Sequence, residues 1–133
     1  MGFCYVCEMN PFQSIYEAVG KDTIQELAAG FYREVAQNED LRRLYPEQDL
    51  QPAERRLFLF LVQVFGGPQT YSEERGHPRL KMRHFQWKID PKMRNHWLNA
   101  MFASMDKLEL DPQVRELMMN YFVKVANHMV NHD

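Results

Sequence analysis

The chain has 133 residues, 45% of them hydrophobic and 26% charged, and a formal net charge of −2. That length and composition suit one globular domain with a real core and are too short for two ordinary domains. The near-neutral balance argues against a nucleic-acid partner or an anionic-membrane surface, either of which needs clustered excess Lys and Arg.

At the N-terminus, Met1 to Met9 lack a basic start and a small-residue cleavage site, so no signal peptide is read there. Cys4 and Cys7 form a Cys-Tyr-Val-Cys pair. No second ligand pair follows at zinc spacing, Glu8 stands where covalent haem attachment needs a histidine, and the flanking pattern of a thioredoxin site is missing. The pair is therefore assigned no central chemistry.

The helices follow in order. A short helix is expected near Ser14–Val19. Thr23 with Glu26 three residues later reads as a capping box for a helix running to about Gln37, with Ile24, Leu27, Ala28, Phe31 and Val35 on one face. A second short helix is expected near Asp40–Leu44. Pro52 opens the next helix, which ends at Gly66-Gly67-Pro68. Its run Leu57 to Phe65 is interrupted only by Gln63, so it reads as a helix buried on most sides and is far too short to span a bilayer. Asp90-Pro91 and Asp111-Pro112 each put a capping carboxylate before a proline at the first helical position. Met93, Trp97, Met101, Met105 and Leu108 keep helical spacing after the first, and Val114, Leu117, Met118, Tyr121, Phe122, Val125 and Met129 after the second. Between Gly66 and Asp90 lies a long connection rich in Gly, Pro, Arg and His, a kind of segment that is uncommon in a compact domain and often functional. No hairpin signal and no internal repeat is visible, so the fold class is all-α.

Several matches stand in one order: Phe31-Tyr32, Leu44-Tyr45-Pro46-Glu47, Phe65-Gly66-Gly67-Pro68, Tyr71-Ser72-Glu73, Gly76-His77-Pro78-Arg79-Leu80 to Arg83-His84, Trp97, and Met129-Val130-Asn131. In this ordered set the chain resembles the truncated haemoglobins, specifically their second group, the O-type. The resemblance runs from about Phe12 to Asn131 and divides the chain into an N-terminal extension, 1–11, and a truncated globin domain, 12–133. It implies a two-over-two helical sandwich around haem b, with His84 as the proximal iron ligand. It also implies ligand-side residues Tyr32, Tyr45 and Trp97, and haem-propionate partners Arg83, Arg56 and Tyr71.

The residues fit that assignment, but it is the resemblance that selects His84, since a lone histidine is weak evidence by itself. Ferrous haem needs a neutral imidazole on one side and an open, mostly dry position on the other. Of the five histidines, His77 precedes a proline, His96 adjoins Trp97 and faces elsewhere, and His128 and His132 lie near the chain end. His84 alone follows a short helical turn, between Arg83 and Phe85 with Met82 nearby. Dioxygen polarises when ferrous iron holds it, so the Trp97 indole N–H, a pure donor, and the Tyr32 and Tyr45 hydroxyls would stabilise it. Ala53 and Leu57 fall where many relatives carry a polar ligand-contacting pair; both are apolar here, and Ala53 offers an opening for ligand entry. Arg55, Arg56, Arg79, Lys81 and Arg83 are a surplus of candidates for the propionates, against the plain alternative of a solvated basic face.

Two functional readings use the same residues. The first is a binding protein or carrier for dioxygen and other small ligands such as nitric oxide, carbon monoxide or sulfide. The second is a haem enzyme, a nitric oxide dioxygenase or peroxidase-like scavenger. The dioxygenase needs an external reductase, because the chain has no flavin or nicotinamide domain. A peroxidase usually needs a distal acid–base group, and the tyrosine–tryptophan set lacks a histidine there. Binding is favoured, in the cytoplasm, without a membrane partner; a homodimer is left open.

Overall fold

A computed structural model describes residues 11–76 and 89–131, and all of the regular structure among them is helical. The helices are α1 (Pro11–Gln37), α2 (Glu39–Arg42), α3 (Gln51–Val64), α4 (Thr70–Arg75), α5 (Pro91–Met105) and α6 (Pro112–Met129).

Both aspartate–proline starts form as the residues require. Asp90 Oδ1 accepts from Met93 N–H at 2.8 Å, and Asp111 Oδ1 accepts from Gln113 N–H at 2.9 Å. The capping box at Thr23 does not form at a helix start. Gly20 breaks α1 instead, at φ 79° and ψ 164°, and the second segment begins directly after it. Glycine reaches that positive φ without the steric cost a side chain would bring, so the break sits there and Thr23 falls inside the helix. The connection after Gly66 is also more ordered than expected, because Thr70–Arg75 forms α4. Gln63 holds it: its Nε2 donates to Ser72 Oγ at 2.7 Å, and its Oε1 accepts from Ser72 N–H at 2.9 Å.

Two antiparallel pairs make the fold. Along α1 and α3, Tyr16 N–H donates to Phe65 O while Gln25 Nε2 donates to Glu54, so rising positions on one meet falling positions on the other. Along α5 and α6, Trp97 lies against Phe122, and Arg94 bonds Asn127. The pairs cross where α1 meets α5. The α1 stripe of Ile24, Leu27, Ala28, Phe31 and Val35 is buried against Met101 and Met105 of α5 and Met118 and Phe122 of α6. No residue from Leu57 to Phe65 is exposed, but only Leu61, Val62 and Phe65 are buried, so the run is half-covered on its other sides and not buried on most of them. The stripe on α6 fails at one position, because Leu117 is 37% exposed.

The crossing is close. A Cβ on Gly30 would lie 2.2 Å from Ser104 Oγ, and that hydroxyl is buried and donates to Leu27 O at 2.8 Å. Gly30→Ala is expected to cost a net 1–2 kcal/mol or so, because overpacking outweighs the roughly 1 kcal/mol that alanine gains over glycine in a helix. Adding Ser104→Ala should recover part of that loss, since it removes the nearest atom. Urea unfolding of the single and double variants measures both effects, and a Gly30→Ala chain more stable than wild type would refute the close crossing.

Candidate functional site

A cavity of about 480 Å³ opens between the two helix pairs. Its walls come from all six described helices, Leu41 standing on α2, and from the loop after α2. Phe31 and Tyr32 contribute from α1, Ala53, Leu57 and Phe60 from α3, Tyr71 from α4, Met93 and Trp97 from α5, and Ala126 and Met129 from α6; Tyr45, Pro46 and Glu47 come from the loop. Mostly apolar walls with a few converging polar groups are the usual make-up of a small-molecule site.

Three aromatic residues expected around a ligand are brought together. Tyr32 packs edge-on to Tyr45 at 5.4 Å between ring centroids, and a hydrogen bond joins their hydroxyls. Phe31 packs edge-on to Tyr32 at 5.0 Å and tilted to Trp97 at 5.6 Å, so it spaces the tyrosine from the tryptophan. Trp97 in turn meets Phe122 at 5.9 Å. Ala53 and Leu57 line the same cavity, where Ala53 is buried and leaves space that a longer side chain would take.

Burial raises both cavity phenols above the ordinary tyrosine range, and the neighbouring carboxylate of Glu47 adds to the effect. Both hydroxyls therefore stay protonated across the neutral range.

The basic residues divide. Arg56 lines the cavity, and its Nη2 lies 3.2 Å from Glu47 Oε2. Tyr71 is buried in the wall with its ring edge-on to Phe60, and Arg75 stacks over it at 6.0 Å. Arg55 lies outside, making two 2.8 Å bonds to Glu74 on the exposed surface. His96 also faces away. Asn38 Oδ1 accepts from Leu41 N–H, so its amide nitrogen is the group 3.1 Å from His96 Nδ1. The other ring nitrogen, Nε2, lies 3.2 Å from Asp40 Oδ2. His84, Arg83, Arg79, Lys81, His77, His132, Cys4 and Cys7 lie outside the described residues.

Sequence reasoning missed Glu47, Arg75 and Arg94 in the cavity wall. Glu47 and Arg75 stood inside or beside quoted motifs, but nothing in their spacing told a wall residue from a solvated charge. It did quote Asn131, and the structure shows what that residue does. Its side chain accepts from Ile89 N–H and its backbone N–H donates to Ile89 O, both at 2.8 Å, so the end of α6 pins the wall residue Ile89.

Residues 14–131 match the family model described as bacterial-like globin. The chain is 37% identical over 120 residues to the group 2 truncated hemoglobin YjbI of Bacillus subtilis, covering 90% of each. Among solved structures, a thermostable hemoglobin from the actinobacterium Thermobifida fusca superposes with a TM-score of 0.86 at 51% identity, over 88% of this chain and 96% of that one. A hemoglobin from the phototroph Chloroflexus aurantiacus gives 0.85 at 43% identity, over 89% and 98%.

The cavity suits the group such proteins carry. A flat apolar ring with two carboxylates calls for aromatic and aliphatic walls with guanidinium groups among them, and Arg56, Arg75 and Arg94 supply the latter. Glu47 Oε1 is buried without a hydrogen-bond partner among the described residues, which marks this wall as a place where polar capacity is left over.

The raised phenols have a measurable consequence. In the unfolded chain tyrosines ionise near pH 10, whereas folding keeps Tyr32 and Tyr45 protonated beyond that. The folded state thus holds protons that the unfolded state has released, so this contribution to stability is complete below about pH 10 and is lost as the pH climbs above it. The double variant Tyr32→Phe with Tyr45→Phe should lose stability less steeply than wild type from about pH 10 upward, read as urea midpoints against pH. Equal slopes would mean that the two phenols are open to water.

Proposed function

The chain belongs to the bacterial-like globin family, among its group 2 truncated haemoglobins, and from that premise we propose that it binds dioxygen and related small ligands in the cavity described above. As a globin it is a haem protein that binds oxygen. In the proposed reading the group is haem b, His84 holds it from one side, and Arg56, Arg83 and Tyr71 meet its carboxylates. Haem supplies the iron at which dioxygen, nitric oxide, carbon monoxide or sulfide binds.

The observation that carries the reading is the convergence of Tyr32, Tyr45 and Trp97 on one apolar cavity, spaced by Phe31. The phenols stay neutral because burial disfavours their charged form, so they act as donors at physiological pH. The indole N–H can only donate. Such a set rewards a polar ligand more than an apolar one of the same size. Phe31 and Leu57 exclude water, and the small Ala53 leaves a way in. The buried phenols and the indole exchange no protons near neutral pH, which favours binding over a peroxidase, whose chemistry calls for a group that does.

Trp97→Phe tests the reading most directly, because it keeps an aromatic ring and removes the donor. A bond worth about 1.5–3 kcal/mol makes dioxygen leave roughly 10–100 times faster from the variant, while carbon monoxide release changes little. Stopped-flow release of both gases measures this, and equal changes for the two would assign Trp97 to packing. For the proximal side, His84→Ala should lose haem on gel filtration or retain it only with added imidazole. An unchanged histidine-ligated ferrous spectrum in that variant would transfer the iron to another residue.

A further inference from the structure

Tyr45 does not sit on a helix. It stands in the stretch between α2 and α3, where the backbone has little regular structure. The N–H groups of Leu44 and Tyr45 bond back to Leu41 O and Arg42 O, which closes the turn leaving α2. Beyond that turn the carbonyls gather on one side chain. Arg42 Nη1 donates to Tyr45 O at 2.7 Å, and Arg42 Nη2 donates to Glu47 O at 2.6 Å and to Gln48 O at 3.1 Å. These three carbonyls flank Pro46 on both sides. Pro46 has its own φ fixed and restricts Tyr45 to extended backbone. With both flanks tied to one rigid planar group, the direction in which Tyr45 projects its ring is set.

The base of this arrangement is itself anchored. Arg42 N–H donates to Asn38 O at 2.8 Å, and the Asn38 side chain caps α2 and meets His96, the residue before Trp97. A chain of polar contacts outside the cavity thus connects the helix bearing Trp97 to the loop bearing Tyr45.

We infer that Arg42 is a positioning residue for the Tyr45 phenol, its guanidinium holding the loop that presents Tyr45 to Tyr32 inside the cavity. The fork of an arginine can reach several carbonyls in one plane, whereas a lysine ammonium is a single point. The consequence for gas release rests on the function proposed above; the placement of the phenol does not.

The test therefore has two arms, using Arg42→Met and Arg42→Lys. In the first, the protein as purified is titrated with alkali and tyrosinate absorbance is followed, with Tyr45→Phe subtracted to isolate the Tyr45 phenol. The titratable groups facing that phenol are Tyr32, Glu47 and Arg56, all kept in both variants. Loss of the clamp lets water reach the phenol, so its titration moves down toward the ordinary value of about 10 in Arg42→Met and less far in Arg42→Lys. An unchanged titration overturns the inference. If Arg42→Met does not fold, Arg42→Lys decides on the same criterion.

In the second arm, dioxygen release from the haem-loaded protein should quicken roughly 5- to 20-fold in Arg42→Met, with carbon monoxide release nearly constant. In a Tyr45→Phe background the same substitution should add nothing. An equal effect in that background overturns the inference, because Arg42 would then be acting elsewhere. A titration that moves while dioxygen release stays fixed upholds the clamp and removes Tyr45 from the ligand's contacts, which separates this inference from the reading it rests on.

Discussion

The arrangement depends on how closely α1 and α5 can cross. Gly30 has no side chain, and Ser104 fills the space with a hydroxyl that is at once satisfied by Leu27 O. Phe31 and Tyr32 follow Gly30 directly, and Trp97 lies seven residues before Ser104, two turns away on the same face of its helix. The contact that fixes the crossing therefore also fixes the separation of Tyr32 from Trp97. Backbone proximity at one point becomes side-chain geometry at another because both helices are rigid across the intervening turns. A larger residue at position 30 would act on the cavity as well as on the core.

The same economy appears at the other end of the cavity. Two helix pairs leave a gap wherever they diverge, and a gap of several hundred cubic ångströms costs contact energy unless something fills it. The walls make that gap selective. Aromatic rings meet along its back from Tyr45 through Tyr32 and Phe31 to Trp97, edge-on for the first two contacts and tilted at the third, and Trp97 rests edge-on against Phe122 behind it. Phenols buried in that row resist ionisation, so the polar groups there are donors whose state does not change near neutrality.

Much of this was legible in the residues. The stripes on α1 and α5 and the Asp-Pro starts required only local rules, and they formed as spacing and capping chemistry dictate. The Gly20 break was less legible, since a capping box at Thr23 and a glycine three residues earlier are both reasonable helix boundaries, and the positive φ at Gly20 chose between them. α4 was hidden because its stability comes from Gln63 across a loop, and no local propensity reports that contact. Tyr32, Tyr45 and Trp97 were identified by family resemblance, and their convergence is tertiary. Glu47 and Arg42 could not be found from pattern at all: a glutamate in a loop and an arginine at a helix end look the same whether they face water, a carbonyl or a cavity.

The arginines make that last point sharply, because nearly identical neighbours differ in what they do. Arg55 and Arg56 are adjacent on α3, yet one pairs with Glu74 on the surface and the other turns into the cavity wall beside Glu47. The 100° step of a helix separates them, so the direction of the cavity, and no property of the side chains, assigns their roles. Arg42 and Arg43 are likewise adjacent. Arg43 pairs with Asp40 one turn back on an exposed face, while Arg42 reaches across the loop to three carbonyls. Exposed pairs of the first kind contribute little, since water competes for both partners. The Arg42 guanidinium makes three bonds at once, two of them part-buried, so one side chain ties several points of the loop. Charge near the cavity is thus divided between groups that line it and groups that shape the chain around it.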